Sequence, residues 1–499
     1  MRAAMNARYV SSSLWERVGV KAAPMVSSTA APPPQPSPAG GRGGKCAAFS
    51  AAGLFSLSLS LWEKAGVRAA PRLERTPATA LLAVLASTAM SAALAQEGPL
   101  NTSLDLSGQL RFSAQSTPAA NTGPIAQSNA LQPGTASAQP SSAAVQAELR
   151  ARHALGPVTA QAAATLQGRA LAGGTGDASA WVNEATLSAP AAGWKLSVGK
   201  KVVSWDVGYA FRPNDVVQQE MRRTLAPVTL IGRPVLLAER FGDDHALALA
   251  WVNPLQSRYA PGAAEPALAA RAYWRDGPLD WHGFARWGAR TGPSLGAAAV
   301  WVASDALALH ASWRAFAHAD RLTNPLAGPR NAALSAHNPW QWAKSGPGQQ
   351  ALVGGTWTSA SQISLLLEAW WDGAAPARGD WAAWSARNAA LPALLGHGAP
   401  NAAVAGNLAW QAQAFGAASS LRRQNLFARL SWQHDRWQPA LDMLYMPEDQ
   451  GRIVTASLAW QGDRVKLEAG WRASFGPALS IARQLPVQRQ GFLGVTWAF

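Results

Sequence analysis

Apolar and polar residues alternate one by one through much of the chain beyond residue 100, and the alternation is cleanest near its end. In Val465–Phe475, Val465, Leu467, Ala469, Trp471, Ala473 and Phe475 interleave with Lys466, Glu468, Gly470, Arg472 and Ser474. A period of two over that length predicts a strand about as long as a tilted one crossing a bilayer. Segment 425–433 sets Leu426, Ala428, Leu430 and Trp432 against Phe427, Arg429, Ser431 and Gln433. Segments 437–446 and 452–461 repeat the pattern less strictly. Upstream, Leu104, Leu106, Leu110 and Phe112 oppose Asp105, Ser107, Gln109 and Arg111, and Val145, Ala147, Leu149 and Ala151 oppose Gln146, Glu148, Arg150 and Arg152.

Connection lengths alternate too. Counted from residue 104, the odd-numbered connections are mostly long or variable: 115–142, 206–232, 254–266, 318–349, 374–423 and 476–489. The even-numbered ones are tight, as at Gly156-Pro157, Gly242-Asp243-Asp244, Asp276-Gly277-Pro278, His434-Asp435-Arg436 and Gln461-Gly462-Asp463. Short turns on one rim and long loops on the other are the plan of a transmembrane barrel. A soluble sandwich would favour Val, Ile and Phe on its inner faces, whereas here the apolar positions are often Ala, Leu and Trp and the opposite ones often Arg. The expected fold is therefore all-β, a transmembrane antiparallel β-barrel of about eighteen strands. Sixteen is the alternative count, because 224–241 is ambiguous. Trp194, Trp274, Trp281, Trp432, Trp437, Trp460 and Trp497 fall near predicted strand ends, where an aromatic girdle would lie.

Composition narrows the classes further. Of 499 residues, 48% are hydrophobic and 14% charged, with 24 Trp and one Cys. An ordinary soluble domain has about 25% charged residues. Apart from one segment near residue 85, no stretch approaches the ~20 apolar residues of a spanning helix. These numbers exclude a disulfide scaffold, a cysteine-ligated zinc protein and a polytopic helical membrane protein.

The first 95 residues read differently. Residues 13–24 recur at 60–71, with Pro/Gly/Ser-rich sequence between the copies, so residues 1–75 form a low-complexity extension that is expected to precede the true start, a disordered extension being the alternative. Residues 76–95 complete a signal peptide: Arg72 and Arg75 precede it, 78–94 is Ala/Leu-rich, and Ala93-Leu94-Ala95 fits cleavage after Ala95. The barrel is assigned to 96–499. Residues 1–95 hold ten Lys/Arg and three Asp/Glu, which leaves 33 and 25 in the exported part, net +8. The sole Cys46 is lost with the prefix, which suits an oxidising compartment.

The final stretch, 491–499, alternates to the last residue and ends on Phe499. It resembles the insertion signal of Gram-negative outer-membrane barrels of the porin-like kind. That resemblance implies the outer membrane as location, its lipid and the barrel-assembly machinery as partners, and Phe499 as the assembly signal. Segment 198–215, of the form G-K-x-x-x-x-W followed by an aromatic, Pro and Asp loop, resembles segments of uncharacterised proteobacterial barrels and porin-like export proteins.

In a barrel the polar strand face lines the lumen. Its basic members are expected to be Arg111, Arg150, Arg152, Arg169, Lys195, Lys201, Arg271, Arg275, Arg286, Arg290, Arg314, Arg429, Lys466 and Arg472. Eight acidic residues accompany them: Asp105, Glu148, Glu184, Asp280, Glu368, Asp372, Asp442 and Glu468. Excess positive charge in a water-filled pore concentrates anions; the competing expectation is that cross-strand pairing merely stiffens the wall. Loop 206–232 is the candidate constriction, with Trp205 at its start and Asp206, Tyr209, Arg212, Asp215, Glu220, Arg222 and Arg223 within it. An ordinary external loop is the alternative. Segment 380–384 is expected to include a short helix.

Enzymatic motifs of the G-x-S-x-G, H-E-x-x-H or phosphate-loop kind are missing from suitable contexts, and the eight His are scattered. His310-Ala311-Ser312 weakly resembles the His-x-Ser pair of lipid A deacylases, which are far smaller barrels. The expected function is a porin-like channel for small polar or anionic solutes, with no catalytic residues, cofactor, metal or nucleic-acid partner. Export of a polysaccharide or other secreted polymer is the second reading, and an outer-membrane enzyme the third.

Overall fold

The computed structural model describes residues 104–136, 140–219, 225–226, 229–328, 333–416 and 420–499. The extension, the signal peptide and its cleavage point lie outside the described residues, as do Arg222 and Arg223. The alternating segments form strands β1 (Leu104–Ser116), β2 (Ser142–Leu155), β3 (Val158–Leu171), β4 (Gly176–Ala191) and β5 (Trp194–Lys201). Then follow β6 (Arg233–Phe241), β7 (His245–Val252), β8 (Ala267–Asp276), β9 (Leu279–Gly288), β10 (Gly292–Ser304) and β11 (Leu307–Phe316). A small hairpin, β12 (Asp320–Thr323) and β13 (Gln341–Lys344), sits in the next loop. The wall resumes with β14 (Gly348–Thr358), β15 (Ile363–Asp372), β16 (Gln424–Trp432), β17 (Trp437–Met446), β18 (Gly451–Gln461), β19 (Val465–Phe475) and β20 (Arg489–Ala498).

Without the β12–β13 hairpin, these strands make one eighteen-stranded antiparallel sheet, each paired with its chain neighbour. β20 pairs with β1, from Gln109 opposite Ala498 to Ser116 opposite Gly491, and closes the sheet on itself. Closure leaves no edge with unpaired backbone groups. The ambiguous segment contributes β6, which fixes the count at eighteen. Its first half belongs to the preceding loop.

Tight turns join β2–β3, β4–β5, β6–β7, β8–β9, β10–β11, β14–β15, β16–β17 and β18–β19 at one rim. Gly156 and Gly277 begin two-residue turns with φ of +60° and +55°, a region open to glycine without steric cost. The other rim carries the long connections 117–141, 202–232, 253–266, 317–347, 373–423 and 476–488, plus three short ones at 172–175, 289–291 and 447–450.

The two faces of the wall differ as the alternation predicts. Leu106, Leu268, Leu295, Val353, Leu367, Leu430 and Leu467 point outward and are exposed. All seven girdle tryptophans lie outward at the short-turn rim, where Trp274 pairs with Trp281 and Trp437 with Trp460. Trp251, Trp287, Trp313, Trp371 and Trp471 form a second outward band toward the long-loop rim. Inward positions hold polar groups such as Glu148, Thr165, Ser312, Glu368, Thr455 and Thr496, all buried.

The long loops pack on one another above the lumen. Helix α1 (Gly123–Leu131) meets α3 (Asn401–Gln411), where Ser128 Oγ donates to the Ala405 carbonyl at 2.8 Å. Helix α2 (Arg378–Ala393) contains the expected 380–384 turn and buries Trp381 and Trp384 against Phe415, Ile481 and Leu485.

Candidate functional site: a loop pinned across the lumen

Connection 202–232 leaves β5 and runs inside the barrel. Val203, Trp205, Val216 and Val217 form one apolar cluster with Val235 and Leu237 of β6, Ala248, Ala250 and Val252 of β7, Ala269 of β8, Phe284 of β9 and Ala298 of β10. These wall positions face inward yet are apolar, because the loop and not water covers them. Burying the loop's side chains there gains on the order of 1.5–3 kcal/mol each. Sequence reasoning missed this seat. Its signal was present in β7, His-Ala-Leu-Ala-Leu-Ala-Trp-Val, where apolar residues occupy both faces as in a strand buried on both sides.

Polar anchors fix the far end. Asp206, at a left-handed φ of +111°, accepts the Val207 N–H at 2.8 Å, the Asn214 N–H and the Ser312 hydroxyl at 2.7 Å. Asn214 Nδ2 donates to Ser312 Oγ at 2.9 Å and to the Trp313 carbonyl at 3.0 Å. On β10 the position facing Asn214 is Gly296, where a Cβ would come within 1.8 Å of Asn214 Oδ1. Only glycine leaves room for that approach. Glu368 of β15 accepts the N–H groups of Tyr209 at 2.6 Å and Ala210 at 2.7 Å, and pairs with His310 Nε2 at 2.9 Å. Tyr209 stacks on Phe427, Phe211 stacks on Trp370, and the Arg429 guanidinium lies 5.5 Å from the Tyr209 ring centre.

The return arm meets a different part of the wall. Thr229 Oγ1 donates to Glu148 at 3.0 Å and accepts from Gln146 at 3.1 Å, both on β2, and the Gly232 N–H donates to the Asn183 carbonyl of β4. Between the arms, Leu225 stands so close to β19 that a Cβ on Gly470 would lie 2.8 Å from its Cδ1. The loop thus touches β2, β4, β15, β16 and β19, and its apolar arm fills the β6–β10 side.

The sequence-predicted loop residues divide accordingly. Trp205 is buried in the apolar cluster, Asp206 is a half-buried acceptor, and Asp215 is a buried one that takes the Trp205 N–H at 3.2 Å. Arg212 donates to Ser204 and to the Asp206 carbonyl. Arg212 and Asp215 hold the loop's own turns together, and Asp206 also ties the loop to Ser312 of β11. Tyr209 lies beside an ion-paired wall residue, Arg429.

Eight of the fourteen predicted lumenal cations are ion-paired: Arg150 with Glu148, Arg169 with Asp177, Lys201 with Glu239, Arg275 with Asp280, Arg286 with Glu265, Arg290 with Asp320, Arg429 with Asp442 and Lys466 with Glu468. Arg111, Arg271, Arg314 and Arg472 reach Thr496, His282, Ser294 and Thr455. The register also places Arg233, Asp177 and Glu239 inward, and moves Arg290 into the turn after β9. Inward strand positions then carry fourteen basic and ten acidic residues, a smaller excess than the sequence reading expected. His310 and Ser312 do share a face of β11, but His310 is engaged by Glu368 and Ser312 by Asp206. Both act in the attachment of the loop.

No protein-family model and no curated protein matches the chain. Among solved structures it is similar to a multiply substituted Rh. blastica porin, at 11% identity over 79% of this chain and 100% of that one, with a TM-score of 0.38. It is similar also to OccK5 (OpdH) of Pseudomonas aeruginosa, at 9% identity over 79% of this chain and 98% of that one, TM-score 0.46. OccD3 (OpdP) of the same organism gives 8% identity over 79% and 91%, TM-score 0.46. These neighbours are bacterial porins, and what the chain's own strand pairings establish is a closed, antiparallel eighteen-stranded barrel with a loop folded into its lumen.

Proposed function

We propose that the protein is a passive diffusion channel of an outer membrane, admitting small polar solutes and favouring anionic ones. Its outward wall suits lipid: leucines and alanines lie between two tryptophan bands, and every wall strand is paired on both sides. The signal peptide ending at Ala95 and the assembly signal at Phe499 fit the same location.

One observation carries the channel reading: loop 202–232 crosses the lumen and is held at Ser312 and Glu368 on one side and at Glu148 on the other. A fixed loop narrows a pore without plugging it through flexible contacts. Solutes would pass along the β16–β3 side, past Arg429, Arg472, Lys466, Arg111 and Arg150, where acidic partners moderate but do not cancel the positive field. Arg222 and Arg223, which lie outside the described residues, would add to that positive charge. A pinned loop argues against export of a thick polymer.

Reconstitution into a planar bilayer tests the proposal. Discrete ohmic steps are expected, with a reversal potential in a salt gradient that reports anion preference. A protein that inserts and never conducts would refute the channel reading; cation preference would refute the basic lining alone.

A further inference from the structure

Outward positions of the wall strands carry almost no charge. Among the described residues, the register puts Lys200, Arg452 and Arg489 outward at the long-loop rim, Arg240 outward at the short-turn rim, and one acid, Asp276, beside a short turn. Arg452 on β18 stands opposite Tyr445 and Phe475, and Arg489 on β20 stands opposite Ala473. Strand β19 runs between them, so the two arginines flank Trp471 and Phe475, whose rings lie 6.4 Å apart on the outward face. Two strand spacings separate β18 from β20, roughly 10 Å. That gap is within the combined reach of two arginine side chains.

Both arginines are exposed, and neither has a hydrogen bond or ion pair with any described residue. The nearest acids, Glu448 and Asp449 in the turn before β18, are already engaged by Arg422. Two uncompensated guanidiniums flanking an aromatic pair, on a wall with few other outward charges, form a site for a ligand that is both anionic and lipid-borne. Guanidinium forks match phosphate oxygens in pairs. The aromatic rings suit the sugar and upper acyl region at a bilayer interface.

We propose that Arg452 and Arg489 clamp the phosphorylated headgroup of a glycolipid in the surface leaflet. The inference rests on the outer-membrane reading above, in which the long-loop rim faces outside. It assigns this stretch of wall a bound lipid, independent of what the lumen conducts.

The test uses full-length protein in detergent micelles, with bound lipid read by native mass spectrometry. The probes are diphosphorylated lipid A, its dephosphorylated form, phosphatidylethanolamine and inorganic phosphate. Wild-type protein and Arg240→Gln, a control for an exposed arginine at the other rim, are expected to retain one diphosphorylated lipid A. The Arg452→Gln/Arg489→Gln double variant should lose retention by roughly tenfold or more, the effect of two cationic side chains at a lipid surface. Inorganic phosphate at the same concentration should not compete. Unchanged retention in the double variant, equal binding of the dephosphorylated lipid, or displacement by inorganic phosphate would each overturn the clamp. Bilayer conductance of the same samples separates the two readings. A conducting wild type with no selective lipid retention sinks only the clamp, whereas a protein that never enters a bilayer sinks both.

Discussion

Phe499 and Gly108 exchange two backbone hydrogen bonds, 2.9 Å from the Gly108 N–H to the Phe499 carbonyl and 3.0 Å from the Phe499 N–H to the Gly108 carbonyl. The last residue of the chain therefore extends the seam between β20 and β1. Its ring lies over Gly108, where a Cβ would come within 2.6 Å of it, and is tilted against Trp497, 5.0 Å between ring centres. A terminal aromatic read from sequence as an assembly signal is also part of the closure.

Removing Phe499 should therefore impair assembly and also loosen the seam. The expected outcome is less folded barrel in membranes and a lower unfolding midpoint for the fraction that does fold. Gly108→Val, which keeps Phe499 but displaces its ring, should lower the midpoint with insertion nearly intact. Heat-modifiable gel migration of membrane fractions, followed by urea titration, checks both. Identical behaviour of the two variants would mean that Phe499 acts through the seam alone.

Outward and inward residues on β19 should respond differently to charge. Leu467 points outward and Lys466 inward, where Lys466 Nζ meets Glu468 at 2.6 Å. Ala469→Arg, one step further along that outward face and near mid-strand, would set a cation against lipid and cost about 2–4 kcal/mol, whereas Leu467 lies level with the girdle residue Trp460, where the cost falls to about 0–1 kcal/mol. Lys466→Glu sets like charges together at a wet wall, costs roughly 0.2–1 kcal/mol, and should move the reversal potential toward cations. Equal destabilisation by the two would be incompatible with the register.

Acid should weaken one rim selectively. Glu265, in the loop before β8, is buried and accepts from Arg286 Nη2 at 2.7 Å, from the Thr291 hydroxyl at 2.9 Å, and from the Arg290 and Thr291 N–H groups. Burial pushes its carboxyl up, but the Arg286 charge and these hydrogen bonds outweigh burial and leave it below its usual range. A carboxyl lowered by folding contributes stability above its unfolded value, near pH ~4.3, and loses it as pH falls through the lower folded value. The urea midpoint should drop over that acid window. Glu265→Ala should abolish the dependence and cost about 3–5 kcal/mol at neutral pH, because Arg286 would stay buried without its partner.

Alternation at Leu467 and Lys466 and the length contrast of the connections made strand number, facing and rim identity legible, since a half-buried strand writes its two environments on alternate residues. The loop's seat was not legible in that way. Val235 and Leu237 look like ordinary apolar strand residues, and only the closed sheet shows that they face inward and need covering. Asp206, Arg212 and Asp215 have the residue types of a solute-contacting cluster, yet Asp206 meets Ser312, 106 positions away. Such a contact leaves no local signature. The spacing of His310 and Ser312 dictates that they share a strand face, while the carboxylates that engage them come from two other elements.

The attachment points give the sharpest test of the loop's role. Glu368 binds two consecutive N–H groups of the loop and His310, and Ser312 binds Asp206 and Asn214, so the loop's inner turn hangs on two wall strands. Ser312→Ala would forfeit hydrogen bonds to a half-buried carboxylate, at about 1.5–3 kcal/mol. Glu368→Ala would leave the Tyr209 and Ala210 N–H groups without their acceptor, at about 1–3 kcal/mol. Neither change touches the wall's backbone pairing, so heat-modifiable migration should remain normal. A loop released from both points would fluctuate, and single-channel records should show higher mean conductance and added open-channel noise, largest in the double variant. Arg222→Ala/Arg223→Ala should do the reverse: quiet channels of nearly unchanged conductance with reduced anion preference. Should the anchor variants conduct as wild type while the Arg222→Ala/Arg223→Ala variant leaves the reversal potential unmoved, the loop would be a structural strut, and selectivity would return to Arg429, Arg472 and Arg111 on the wall.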